Sequence, residues 1–142
     1  MHSLGRYAVF IPAGIGALVF FVLFSEIFNP AYVDWLYVEL WDPFQYYISW
    51  ALFRQADWQL PIINSFVGFP VGVSPVYTDS IPLLAVFFKL LSGWNLLPAN
   101  FQYFGLWLLL CFVLQGVFSY FLLKQITGQK ILATIGSVFF IL

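Results

Sequence analysis

The sequence predicts an all-α, polytopic transmembrane helical bundle, and three observations carry that prediction. Of its 142 residues, 63% are hydrophobic and 8% are charged, where soluble domains carry roughly 25% charged residues. Apolar stretches recur at 7–28, 81–95, 101–123 and 131–142. The long stretch between the first two, 29–80, gathers five of the six acidic residues among tryptophans and tyrosines. So few charges cannot cover the core of a water-soluble protein of this size, and lipid is the solvent that the composition fits.

The first element, 7–28, runs without a charge from Tyr7 to Ser25. That is longer than the roughly 7–15 apolar residues of a signal peptide and suits a retained span. Asn29-Pro30 ends it, because the residue before proline disfavours helix.

Within 29–80, "DPFQYYISWALFRQ" predicts a short helix over about 43–54. Asp42 is placed as its N-cap and Pro43 at the first helical position, where a missing N–H is harmless. Phe44, Tyr47, Ile48, Ala51 and Leu52 then form one apolar stripe, which makes the helix amphipathic. "LPIINSFVGFPVGVSPVY" reads as irregular loop from its glycines and prolines. "TDSIPLL" restarts helix, with Asp79 or Ser80 as cap and Pro82 in the first turn.

The segment 81–95 is apolar but short and is interrupted by Lys89. Its apolar part, the thirteen residues 81–93, rises roughly 20 Å as a helix, against a hydrocarbon core of roughly 30 Å. The segment is therefore a short second transmembrane helix or a re-entrant one. The clearest span is 101–123, uncharged and with aromatics near both ends. "KQITGQK" makes a basic turn, and 131–142 begins a fourth helix that stops inside an apolar run. That abrupt end leads us to expect a fragment of a larger protein.

Sidedness follows from charge. Arg6, Lys124 and Lys130 belong in the cytoplasm under the positive-inside rule, and the acidic 29–80 loop belongs outside. A re-entrant 81–95 keeps both basic flanks inside. A full crossing places the lysine turn outside and leaves Lys89 to snorkel or to pair within a bundle.

Several function classes are excluded. A net charge of −1 offers no basic stripe for nucleic acid. One cysteine, Cys111, and one histidine, His2, give no disulfide and no Cys/His metal spacing. Ser49 and Ser80 lack a histidine partner for nucleophilic hydrolysis.

The residues that remain carry two readings each. Asp42 is a helix cap, or a carboxylate held at the membrane face as a base or as a ligand of a phosphate-bridging divalent ion. Asp79 repeats that pair of roles as a second acidic candidate. Arg54 pairs with Asp57 at i+3, or grips a phosphate through its fork of donors. Trp50 and Trp58, with Trp35, Trp41, Tyr32, Tyr37, Tyr46 and Tyr47, form a headgroup-level belt or a platform for sugars.

The order of these motifs resembles a known family. A first span is followed by the Asp-Pro helix, Phe-Arg…Trp and the Gly/Pro loop. Thr-Asp-Ser-Ile-Pro-Leu-Leu-Ala…Phe-Lys, Phe-Gln-Tyr-Phe-Gly-Leu-Trp and Leu-Gln-Gly come next. Over about residues 10–142 this resembles the start of a bacterial polytopic family, domain-of-unknown-function family 6311, which in turn resembles the GT-C class of membrane glycosyltransferases. The resemblance implies a GT-C-like N-terminal part in the bacterial inner membrane. It implies transfer from a polyprenyl-phosphate-linked sugar at the extracytoplasmic face, with inversion at the anomeric carbon. Asp42 matches the essential acid of the first external loop, the candidate catalytic base, and Asp79 resembles a second-loop acid. Arg54 would steady phosphate charge, and a divalent cation, Mg or Mn, is the implied cofactor. "WDPFQ" has one acid followed by proline where many members have an acidic pair. The alternative to an enzyme is a non-catalytic scaffold or transporter-like subunit binding lipid or polysaccharide.

Overall fold

The computed structural model describes residues 8–37, 42–78 and 80–142. Among these residues the fold is all-helical, with a single isolated antiparallel bridge, Asn64 to Val73. The helices are α1 (Phe10–Phe24), α2 (Asp42–Gln55), α3 (Pro82–Gly93), α4 (Phe104–Thr127) and α5 (Lys130–Ile141), with 3-10 turns at Ser25–Phe28, Asp34–Leu36 and Pro75–Tyr77. Two of them are long and apolar enough to cross a membrane: α1 with its 3-10 extension, Phe10–Phe28, and α4. Only 17% of either apolar window is buried within the protein. Large apolar side chains such as Val22, Leu23, Phe118 and Leu122 therefore face outward. In water that surface would be prohibitive; in lipid it costs nothing.

The chain divides into two compact units, residues 1–29 with 104–142 and residues 30–103. In the first, α1, α4 and α5 pack through small residues. A Cβ on Gly16 would collide with the Phe112 backbone, one on Gly116 would lie 2.6 Å from the Pro12 carbonyl oxygen, and Gly105 meets the Ile27 carbonyl. Lipid tails are as apolar as leucine, so membrane helices associate through such close backbone approach rather than through hydrophobic burial. The partners Pro12–Gly116, Gly16–Phe112 and Ile27–Gly105 run in opposite senses, which makes α1 and α4 antiparallel. Gly116 with Ile141 and Leu123 with Gly136 do the same for α4 and α5. Gln115 adds a side-chain hydrogen bond to the Phe140 carbonyl.

The second unit has an aromatic core. Trp50, Phe53, Phe88, Phe101 and Tyr103 are buried together, with Leu36, Tyr47 and Ala85 around them. Phe88 stacks on Tyr103 at 5.2 Å, and Trp50 meets Tyr103 edge-on at 5.0 Å, geometries that suit the aromatic quadrupole. The two ends of the unit are tied by the Gln102 N–H donating to the Pro30 carbonyl at 2.8 Å. Because Phe101, Gln102 and Tyr103 are drawn into this core, the following helix starts at Phe104.

The stripe expected on α2 is rotated. Its buried residues are Tyr47, Ser49, Trp50 and Phe53, while Ile48 is exposed. Spacing alone weighs Ile48 and Trp50 alike. The fold buries Trp50 because a carbonyl waits for its indole N–H. The expected Ser80 cap also differs. The N-cap position of α3 is Ile81, with no side-chain cap, and Pro82 opens the helix. Ser80 instead hydrogen-bonds with Thr78 and the Pro75 carbonyl. Helix α3 ends at Gly93 after twelve residues, a rise of about 18 Å.

Candidate functional site

The chemistry-bearing side chains of the second unit fall at opposite ends of α2. Asp42 is the first residue of the helix and is exposed. Among the described residues its carboxylate makes no hydrogen bond or ion pair, so the expected capping bond does not form. The 3-10 turn Asp34–Leu36 brings Tyr37 against this end of α2. The Tyr37 ring lies 5.5 Å from Phe44 and 5.7 Å from Tyr47, and Tyr37 remains half exposed. Burial, with the neighbouring Tyr37, pushes the Tyr47 hydroxyl above its ordinary pKa. An exposed carboxylate and an exposed aromatic ring at the same end of a helix are groups suited to base chemistry and to stacking an apolar sugar surface.

The other end of α2 is built differently. The Arg54 guanidinium donates to Ser92 Oγ at 2.6 Å, to the Pro98 and Ala99 carbonyls at 2.8 Å each, and to the Leu97 carbonyl at 3.3 Å. Its fork clamps the turn after α3, so the donors assigned to a phosphate, or to Asp57, are engaged by the chain itself. Twelve residues separate Asp42 from Arg54, about 18 Å along the helix. One bond joins an anomeric carbon to its phosphate oxygen, so this arginine cannot serve a phosphate at an Asp42-centred reaction.

Trp50 is 0% exposed, and its indole N–H donates to the Phe101 carbonyl at 2.9 Å. With Phe101 and Tyr103 against its ring, it is a core anchor with no face open to a sugar. Trp58 is 50% exposed and keeps an accessible face. Asp79 lies outside the described residues, as do Arg6, Glu39 and Trp41. The residues flanking Asp79 are rigidly placed. Thr78 and Ser80 are buried, and the Tyr103 hydroxyl donates to the Ser80 carbonyl. Burial holds that phenol well above its usual pKa range. Ile81 takes φ 49°, a left-handed conformation that a β-branched residue adopts at a cost of about 1–3 kcal/mol.

No group of three or more His, Cys, Asp or Glu side chains that could hold a metal occurs among the described residues. Asp42 by itself does not fit the divalent cation that the resemblance implies, and no step below is routed through one.

Lys89 was missed as a site residue, since its neighbours in sequence are all apolar. On the α3 face it is 3% exposed, and its ammonium lies 4.1 Å from the centre of the Phe53 ring and 4.8 Å from that of Trp58. Its Nζ has no hydrogen-bond partner, a state shared among buried side-chain atoms of the described residues only by Trp35 Nε1. Burial lowers its pKa, and the negative charge of Asp57 opposes that.

Comparison with known families now decides membership. The profile of a family described as a domain of unknown function, DUF6311, matches residues 13–142. The chain belongs to the DUF6311 family. Comparisons with curated proteins and with solved structures find no match. The DUF6311 match covers all five helices apart from the first three residues of α1, so both units are family features.

Proposed function

We propose that this DUF6311 chain is the N-terminal part of an integral membrane protein that transfers a sugar from a polyprenyl phosphate at the extracytoplasmic face of the bacterial inner membrane. The observation that carries the reading is Asp42: an exposed carboxylate at the head of α2, unpaired among the described residues, in the unit that lies between the two candidate spans in sequence. In this reading Asp42 accepts the proton of the acceptor hydroxyl. The acceptor oxygen attacks the anomeric carbon from the face opposite the lipid phosphate. The bond from that carbon to the phosphate oxygen breaks, and the phosphate leaves with the electron pair. Tyr37 is the aromatic platform that the geometry favours beside Asp42, and Trp58 belongs to the far end of the helix.

The topology we assign is a cytoplasmic N-terminus, an external residue 30–103 unit and a cytoplasmic Lys124–Lys130 turn. Antiparallel packing of α1 and α4 supports it. If α3 crossed alone, the chain would make one extra passage between α1 and α4, and the two would run parallel. The length of α3 agrees, since about 18 Å falls short of a roughly 30 Å core. In this arrangement α3 is re-entrant or interfacial, and all three basic flanking residues lie inside.

The test is Asp42→Asn in the native host, with extracytoplasmic glycan as the readout. Asparagine keeps the size and polarity of aspartate but cannot act as the base. We expect loss of the glycan at normal protein levels; wild-type glycan from a well-expressed Asn variant would end the catalytic reading. The second reading, a non-catalytic lipid-binding scaffold, is favoured by the exposed apolar loop side chains Leu60, Phe69, Val71 and Tyr77. It becomes the better account if the Asn variant retains function.

A further inference from the structure

The ammonium of Lys89 poses an imbalance that the fold does not resolve. A lysine head group has three N–H donors and no acceptor. Here it is removed from water, and none of the three is paired. The Phe53 and Trp58 rings offer their negative faces, which lower the energy of the charge but supply no hydrogen-bond acceptor. A buried polar group left in this state is expensive. Two events relieve it: loss of the proton, or arrival of an acceptor that carries negative charge.

The surroundings favour the second. Arg54 and Lys89 put two cations at this corner against one carboxylate, Asp57, which is exposed and acts on Lys89 through its field. The guanidinium already spends four of its five N–H donors on Ser92 and the Leu97–Ala99 carbonyls. The field is therefore net positive, and Lys89 keeps all three of its donors unused. The cage walls are unequal. Phe53 is fully buried and fixed in the core, whereas Trp58 is half exposed and follows the end of α2. Trp58 is the wall that faces solvent.

We propose that Lys89 is the floor of a gated anion site behind Trp58, which admits a phosphate ester oxygen to take the hydrogen bonds that the fold leaves unmade. Phosphate suits the site because several oxygens meet several donors, and because a lysine binds it as a point charge without requiring planar geometry. Free phosphate and the phosphate of a lipid headgroup present the same chemistry to this site. The site lies at the opposite end of α2 from Asp42, so it stands whether or not glycosyl transfer occurs.

The experiment uses the purified full chain. Thermal unfolding is followed in detergent with inorganic phosphate or with chloride at equal ionic strength. It is then followed in nanodiscs of phosphatidylcholine with and without phosphatidic acid. We expect phosphate or phosphatidic acid to raise Tm by at least about 2 °C, and Lys89→Met to abolish the rise. Methionine is chosen because it keeps the volume and removes the charge. A shift in detergent assigns the site to free phosphate, and a shift only with phosphatidic acid assigns it to a lipid headgroup. No shift with either probe, or an equal shift in Lys89→Met, overturns the proposal. A second measurement needs no variant. Acetylation of Lys89 by acetic anhydride, read by mass spectrometry against Lys124 and Lys130, should slow several-fold in phosphate. Rapid acetylation unaffected by phosphate would identify a neutral buried amine and overturn the site.

Discussion

Replacing Arg54 by lysine tests whether this residue is a structural clamp. The guanidinium reaches four acceptors on one turn: Ser92 Oγ, and the carbonyls of Leu97, Pro98 and Ala99. Hydrogen bonds to a charged donor contribute about 1.5–3 kcal/mol each when shielded. The two bonds from Nη1 are exposed to water and contribute less, because water replaces them when they break. The bond to Ser92 and the one to Leu97 are part-buried. Removing all four with Arg54→Ala should cost about 2–4 kcal/mol. A lysine ammonium can meet one or two of these acceptors but cannot span them as a planar fork does, so Arg54→Lys should cost about 1–2 kcal/mol. For a unit of this size that corresponds to a fall in Tm of about 5–10 °C. Two assays read it. Thermal unfolding in detergent gives the stability, and limited chymotrypsin digestion should cut sooner at Trp94 and Leu96, exposed residues of the released turn. If Arg54→Lys matches wild type in both assays, only the charge matters, and the clamp argument is refuted.

Two further outcomes follow from the same geometry. Trp50→Phe leaves the buried Phe101 carbonyl without its donor and should lower stability by about 1–3 kcal/mol, measurable by the same melt; an unchanged Tm would show that the indole N–H is dispensable. With Cys111 replaced by alanine, a cysteine at Thr127 should resist a membrane-impermeant thiol reagent in intact spheroplasts and react once they are opened. Labelling before opening would place the lysine turn outside and require α3 to cross.

Much of the fold was legible from composition and runs of apolar residues. Charge-free stretches as long as 7–25 and 101–123 have few stable environments other than lipid, because their apolar surface covers the whole helix circumference. The amphipathic helix after the first span was also legible, since Asp-Pro is a strong start and Arg54-Gln55 lies where polar residues resume. The buried face was not. Period alone leaves Ile48 and Trp50 as rivals, and the choice depends on the Phe101 carbonyl, fifty-one residues away. Arg54 was misjudged for the same reason, because its acceptors are backbone carbonyls more than forty residues on, and carbonyls leave no mark in side-chain identity. The flank of Asp79 was legible as a helix start, but its rigidity comes from Tyr103 reaching back to Ser80.

The sequence by itself determined the solvent and the number of long apolar helices, because those depend on summed transfer energies that do not require knowing which residues touch. Tertiary structure decided the direction of α4 relative to α1. It also decided that the one lysine of α3 sits between two rings without an acceptor. Both depend on which backbones come within van der Waals reach, at Gly16 against Phe112 and at Lys89 against Phe53, and close approach of distant segments is a property of the packed chain.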